Sequence, residues 1–239
     1  MIPCLRLVLA FALCLTAAIH SHDARAATAD PDKDSEAPKL LEDARTLIDG
    51  KKPQAAIEKC EKVIALFKAH YANTKEKIYC ARSSAESLGY LLKAAADKQN
   101  AIALSATWAD AYFIKSYALQ ELGRMAEAKL TAQRAVELSP WSSHYLSELG
   151  NIYALEKNWA NAKETFEIAE EHAPLSPDSA KATELGRARR GIAYVLVELG
   201  RLDEAEKKYQ QCLKENPNDT KAAEELEYVR SLKAKSKSK

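Results

Sequence analysis

Small and apolar residues recur along the chain at a fixed spacing. From about Pro38 onward the same residue types return every 34 positions, with polar residues between them. The recurring positions are Gly89 and Gly123; Ala94, Ala128 and Ala162; Ala101, Ala135 and Ala169; and Pro140 and Pro174. Small residues let neighbouring helices pack closely, and Pro stands where a helix must stop. The pattern predicts a tandem array of helix pairs, in which each pair buries its apolar face against the next.

The repeat pattern is clearest in residues 143–176. The positions that carry it are Leu149, Gly150 and Tyr153 on the first helix, Ala162, Phe166 and Ala169 on the second, and Pro174 at the end. This segment resembles a tetratricopeptide repeat. Residues 109–142 and 186–219 repeat the pattern, and residues 75–108 and 37–70 carry weaker copies.

The resemblance implies a fold class for residues 37–232. We expect an all-α protein, a right-handed superhelical α-α solenoid of tetratricopeptide-like helix hairpins with a C-terminal capping helix. The cap is predicted over residues 220–232, where Ala222, Leu226 and Val229 share one helical face and charged residues occupy the other. The basic residues 233–239 are predicted to form a disordered tail.

Composition agrees with a helical fold. The chain has only 7 Gly and 8 Pro, whereas Ala, Leu, Glu and Lys recur throughout. These residues favour helix over strand, so we expect almost no β-structure.

The spacing between Pro174 and Pro217 exceeds the repeat period by nine residues. Ser176, Pro177 and Asp178 resemble a helix start, with an N-cap hydroxyl followed by Pro and an acidic residue. The sequence therefore predicts that the extra residues lengthen the first helix of the last repeat. A flexible loop is the competing interpretation.

The N-terminal segment has the pattern of a signal peptide. Arg6 precedes an apolar run from Leu7 to Ile19, and Ala24, Arg25 and Ala26 form a small-x-small cleavage site. The run is too short to cross a bilayer, although an uncleaved anchor is the alternative. We expect a signal peptide over residues 1–26, a flexible leader over residues 27–36, and a periplasmic or secreted protein.

Charge and motifs limit the function classes. Removal of residues 1–26 leaves equal numbers of basic and acidic side chains, which argues against nucleic acid as a partner. Beyond the signal segment the histidines are His70, His144 and His172, and the sequence has no His-Glu-x-x-His, Cys-x-x-Cys or Gly-x-Ser-x-Gly motif. We therefore expect no enzymatic activity, no metal and no cofactor.

Three cysteines follow the signal segment. In the predicted array, Cys60 lies on the second helix of one pair and Cys80 on the first helix of the next. A disulfide between them is one possibility in an oxidising compartment, and two buried thiols are the other. Cys212 is expected to be a small buried residue.

The resemblance also implies a binding surface, because the first helix of each pair lines the concave side in this family. The residues predicted to form a partner-binding groove are Tyr79, Phe113, Tyr117, Gln120, His144, Asn151, Arg187, Arg190 and Tyr194. Aromatic and Arg side chains are common interface anchors, and two arginines would suit a carboxylate or an acidic peptide. Some family members clamp a carboxylate with a set of Lys and Asn side chains. In this sequence only Asn151 corresponds to a member of that set.

Two functions follow from these features. The first is a protein-protein interaction scaffold of the cell envelope, which binds a peptide or protein segment in its groove. The alternative is a structural subunit or a self-associating module of an envelope assembly, which acts through its convex face or its long last helix.

Overall fold

The computed structural model describes Pro31 and residues 36–237. Its elements, in chain order, are α1 (Ala37–Asp49), α2 (Pro53–His70), β1 (Lys77–Ala81), α3 (Ser84–Ala96), β2 (Ala101–Ser105), α4 (Thr107–Glu121), α5 (Met125–Leu138), α6 (Ser143–Leu155), α7 (Trp159–His172), a 3₁₀ turn (Ala173–Leu175), α8 (Lys181–Glu198), α9 (Leu202–Glu215) and α10 (Thr220–Lys237). The predicted signal peptide, residues 1–26, and most of the leader lie outside the described residues. No described helix is both long and apolar enough to span a bilayer.

The helices form a linear array of antiparallel hairpins. The hairpins are α1 with α2, α4 with α5, α6 with α7, and α8 with α9, and each packs on the next, with α10 at the end. This arrangement agrees with the all-α solenoid expected from the repeat.

Each hairpin turns through one residue with a left-handed backbone. Gly123 and Gly200 both have φ of 72°, as their positions after a helix predict, whereas Lys51 and Lys157 hold the same place with φ of 57°. In all four turns the next residue donates its N–H to a carbonyl five residues back, for example Arg124 to Leu119 at 2.9 Å. The hydrogen bond satisfies a helix-end carbonyl and fixes the angle between the two helices.

Small residues allow the hairpins to pack closely. Ala162 and Ala169 are fully buried, as the repeat pattern predicts. The Phe166 ring on α7 lies between Gly150 on α6 and Gly191 on α8, because both glycines leave space that a β-carbon would occupy. Phe166 thus joins two neighbouring hairpins.

Residues 75–108 are not a helix hairpin, contrary to the sequence prediction. They form β1, α3 and β2, and the two strands pair in parallel with Lys77 opposite Ala101. Both strands are rich in apolar and β-branched or aromatic residues, which suit a half-buried strand. α3 ends at Ala96 and Lys98 adopts a φ of 56°, so Ala101 falls on a strand although its spacing matches the repeat. The expectation of almost no β-structure is corrected by this β-α-β unit.

The β-α-β unit packs against two turns between hairpins. The hydroxyl of Ser139 donates to the carbonyl of Cys80 at 2.6 Å, and the backbone N–H of Trp141 donates to the hydroxyl of Tyr90 at 3.1 Å. The Ser83 hydroxyl donates to the carbonyl of Leu175 at 2.5 Å. The unit is therefore held to both the α5–α6 turn and the α7–α8 turn.

The nine extra residues before the last hairpin form a turn with a loop and also lengthen the helix that follows. The 3₁₀ turn and a loop occupy residues 173–180, and α8 then begins at Lys181, not at Ser176 as predicted. α8 has 18 residues against 13 in α6, so the lengthened helix is present with a later start. The hydroxyl of Ser176 donates a hydrogen bond to the carboxylate of Glu184 instead of capping the start of the helix.

The last helix is longer than the predicted cap. α10 continues through residues 233–237, where a disordered tail was expected. Lys233 reaches back to α9 and pairs with Asp203 at 2.6 Å and Glu206 at 2.5 Å. These ion pairs connect the end of α10 to the preceding helix.

Of the two alternatives for Cys60 and Cys80, the structure shows buried thiols and not a disulfide. Cys60, Cys80 and Cys212 are buried thiols. Burial raises the pKa of Cys60 to about 12 and that of Cys212 to about 11, so both are protonated near neutral pH.

Candidate functional groove

A cavity of about 860 Å³ opens between α6, α8 and α10. It is lined by five of the residues predicted to form the groove, namely Gln120, Asn151, Arg187, Arg190 and Tyr194. They lie together because first helices of successive hairpins lie side by side and present the same face. We call this cavity the groove.

The floor of the groove is aromatic. Phe166 and Tyr209, both 1% exposed, form its base beside Gly191. Trp159 and Tyr194 meet edge to face above them, with ring centroids 6.2 Å apart. Tyr194 remains 43% exposed, so an apolar surface is open to a partner.

Charged residues surround this floor. Arg187 and Lys221 lie near the beginning of α8 and α10, whereas Glu198 and Glu225 lie further along the same helices. Partial burial, together with the nearby carboxylates of Glu198 and Glu225, raises the pKa of Tyr194. Both signs of charge are therefore present in the groove.

The charge of Arg190 is already paired within the protein. Its guanidinium forms an ion pair with Asp219 at the start of α10, and the Asp219 side chain is 8% exposed. The prediction placed Arg190 among the groove residues, where it does lie, but its charge is already balanced. Arg187 is therefore the better candidate for a partner carboxylate.

Gln120 is also engaged within the protein. Its amide donates to Glu148 at 2.9 Å, which joins α4 to α6 at the margin of the groove. Asn151 remains exposed in the lining.

Phe113 and His144 lie apart from the groove, in a cluster of buried polar groups. Their ring centroids are 4.3 Å apart, and His144 lies next to Tyr145. Burial, together with the nearby cation of Arg82, lowers the pKa of His144 to about 4. His144 is therefore neutral at pH 7.

The centre of this cluster is a buried ion pair. Arg82 donates to Glu184 twice, at 2.7 and 3.0 Å, and Glu184 also accepts a hydrogen bond from Ser176 at 2.7 Å. The Arg82 and Glu184 side chains are only 16% and 7% exposed. Hydrogen bonds from Arg82 and Ser176 outweigh the effect of burial and hold the pKa of Glu184 below its usual value.

A second link crosses the same region. The Tyr145 hydroxyl donates to Asp110 at 2.6 Å, and Asp110 also pairs with Arg45 of α1 at 2.8 Å. The cluster thus connects α1, α4, α6, the β-α-β unit and α8.

Tyr79 and Tyr117 lie outside the groove. Tyr79 is on β1 and not on a first helix, is 5% exposed, and stacks on Tyr90 with centroids 4.8 Å apart. Its prediction as a groove residue was wrong, because residues 75–108 do not form a hairpin. Tyr117 is 39% exposed on α4, and it does not line the groove.

Sequence reasoning missed one wall of the groove. Lys221, Glu224 and Glu225 of α10 line it, together with Trp159 and Phe166. The polar face of α10 was predicted, but it was interpreted only as a solubilising surface. In the described part of the chain, no group of three His, Cys, Asp or Glu residues could hold a metal ion.

Family models match two of the hairpins. Both are described as tetratricopeptide repeat, and they match residues 109–140 and residues 186–219. The chain therefore contains tetratricopeptide repeats. The matched segments are α4 with α5 and most of α8 with α9, so the groove lies within and beside a recognised repeat.

Solved structures with the same fold include other helical-repeat proteins. Pseudomonas aeruginosa pilF has a TM-score of 0.59 at 12% identity, covering 83% of this chain and 69% of that one. MamA from Desulfovibrio magneticus RS-1, from residue 41 to its end, has a TM-score of 0.54 at 13% identity, covering 85% and 89%. Another MamA structure has a TM-score of 0.51 at 21% identity, covering 81% and 84%. At these identities the likeness shows a shared fold, and a comparison with curated proteins finds no match.

Proposed function

We propose that this protein is a non-catalytic interaction scaffold of the cell envelope that binds a protein or peptide segment in the groove. The observation that carries the proposal is the set of Asn151, Arg187 and Tyr194 around one cavity with an aromatic floor. Tetratricopeptide repeats are generally protein-interaction modules, and the signal-like N-terminal sequence supports a periplasmic or secreted location.

The shape of the groove suits an extended or helical segment. A cavity of about 860 Å³ accepts a few side chains of a peptide rather than a large domain surface. The 43% exposed ring of Tyr194 offers contact area for an apolar side chain, and a few such contacts usually carry most of the binding energy of an interface. Arg187 would pair with an acidic group beside it.

Affinity capture from envelope extract tests the proposal. The chain beginning at Ala27 serves as bait beside Tyr194→Ala and Arg187→Ala variants. Tyr228→Ala is the matched control, because Tyr228 is a 53% exposed tyrosine that does not line the groove. We expect a protein that the chain and the control capture and that the two groove variants lose.

Unfolding curves of all four proteins show whether each variant is folded. If folded groove variants capture the same proteins in the same amounts, the groove is not the binding surface and the proposal fails.

A further inference from the structure

Strand β2 is the open edge of the small sheet. The Lys77 N–H donates to the Asn100 carbonyl at 2.8 Å, and Lys77 lies opposite Ala101. In a parallel ladder with this register, the backbone groups of Ile102 and Leu104 point toward β1, and those of Ala101 and Ala103 point away from it. In the described part of the chain the sheet has two strands, so no third strand pairs with Ala101 and Ala103.

The outer side of β1 is covered by another part of the chain, whereas the outer side of β2 is open. On the β1 side, the Cys80 carbonyl accepts a hydrogen bond from Ser139 of the α5–α6 turn. The outer side of β2 borders a depression of about 610 Å³ that is lined by Ala103, Leu88 and Leu91, and by serines and Arg82 at its other side. The open edge is therefore accessible beside two leucines of α3.

Helix α3 exposes leucines next to this edge. Leu88 and Leu92 are 60% and 61% exposed, and Leu91 is 40% exposed. They share one face of α3, since they lie three or four residues apart. Contiguous exposed leucines mark an interaction surface in a soluble protein.

The sequence of β2 lacks the usual protection of an edge strand. Residues 99–109 carry no charged side chain and no proline. Edge strands that must remain single normally carry Lys or Pro to prevent pairing with another strand. Because the strand is neutral, a second copy of it would meet no charge repulsion.

We propose that two copies of this chain pair about a two-fold axis, β2 against β2, with the leucine face of α3 completing the interface. An antiparallel register centred on Ile102 places Ala101 of one copy opposite Ala103 of the other. Each pair then exchanges N–H and carbonyl hydrogen bonds through the groups that point away from β1.

The geometry of such a sheet accounts for the exposed leucines. α3 packs on both strands of its own copy. The two α3 helices of a four-stranded sheet β1–β2–β2–β1 would thus lie two strand spacings apart, or about 10 Å. Helices pack at about 8–10 Å, so pairing of the strands brings Leu88 and Leu91, which border the open edge, into contact with those of the other copy. The two-fold axis is perpendicular to the sheet, which keeps both helices on the same face.

Sedimentation analysis of the full chain, and of the chain from Ala27, which retains every described helix and strand, tests the proposal. We expect a monomer-dimer equilibrium. A Leu88→Glu/Leu91→Glu variant should raise the dimer dissociation constant by at least about tenfold, since two apolar contacts become like charges across the axis. Leu130→Glu on α5, at a 63% exposed leucine away from this surface, should leave it unchanged.

A second variant tests the strand itself. Ala103→Pro removes an N–H that points away from β1, so it leaves the β1–β2 ladder intact while blocking β2 pairing. We expect it to be folded and monomeric. The proposal is overturned by a monomer at every concentration, which would leave the surface to a different protein, or by a dimer that persists in the α3 variant. The groove variants Tyr194→Ala and Arg187→Ala do not touch this interface and should dimerise normally.

Discussion

Gly191 on α8 lies directly against the aromatic ring of Phe166 on α7. A β-carbon at position 191 would overlap the ring, and one at Gly150 on α6 would lie 2.9 Å from it. Phe166 is thereby enclosed between two hairpins and also forms the floor of the groove. The relationship connects stability to the shape of the binding surface.

Gly191→Ala should therefore destabilise the protein. We expect the free energy of unfolding to fall by about 2 kcal/mol, because the ring must move in a close-packed core. Combining the change with Phe166→Leu should recover part of this loss, since the smaller side chain leaves space for the methyl group. Urea denaturation of the two single variants and the double variant measures the coupling; strictly additive losses would contradict the contact.

Substitutions in two of the hairpin turns should change the free energy of unfolding in opposite directions. Lys157→Gly should raise the free energy of unfolding by about 1 kcal/mol, because Gly adopts a positive φ without strain. Gly123→Ala should lower it by about 1 kcal/mol for the same reason. No atom lies within 4 Å of the β-carbon position at Gly123, so a loss there reflects the backbone alone. If both substitutions changed the free energy of unfolding in the same direction, the positive φ of the turn residue would not be the cause.

The buried pair of Arg82 and Glu184 should stabilise the contact between the β-α-β unit and α8. Arg82→Ala should cost about 3 kcal/mol or more, because it leaves a carboxylate buried without its cation. A double variant that replaces both residues with Ala should be less destabilised than the sum of Arg82→Ala and Glu184→Ala. Thermal or urea unfolding of the unchanged chain, the two single variants and the double variant gives the interaction energy, and a value near zero would rule out the pair as a stabilising link.

His144 should make stability depend on pH. Its pKa is about 4 in the folded protein and about 6.5 in an unfolded chain, so the unfolded state takes up a proton first as the pH falls. The contribution of His144 to stability is therefore complete above pH 6.5 and decreases between pH 6.5 and 4.

Urea denaturation at pH 7 and pH 5 checks this, with His144→Gln as the comparison. We expect the chain to lose more stability than the variant between the two values. Glu184, whose pKa is lowered, loses its contribution at lower pH in both proteins, so the difference between them isolates His144. Equal losses would mean that His144 is accessible to protons in the folded state.

The repeat array could be predicted from sequence because its spacing has a direct physical cause. Ala162, Ala169 and Gly150 lie where helices approach most closely, and only small residues are accepted there. Residues 75–108 kept Gly89, Ala94 and Ala101 at the same spacing but formed a β-α-β unit. Small residues suit a helix packed on a sheet as well as a helix packed on a helix, so these three positions did not distinguish the alternatives.

The groove could be predicted only in part, for a related reason. Asn151, Arg187 and Tyr194 were found because successive first helices present the same face. The ion pair between Arg190 and Asp219 depends on where α10 packs, and the repeat spacing does not determine that position. The wall formed by α10 was missed because the polar side of a terminal helix has the same composition whether it faces solvent or a cavity.

Site-specific photo-crosslinking shows directly whether a partner lies in the groove. A photoreactive amino acid is placed at Asn151, inside the groove, and separately at Leu130, exposed on α5 outside it. Each protein is irradiated in envelope extract or with the partner found by affinity capture. We expect a covalent adduct with another protein from position 151 and none from position 130. Adducts from position 130 with none from position 151 would contradict binding in the groove.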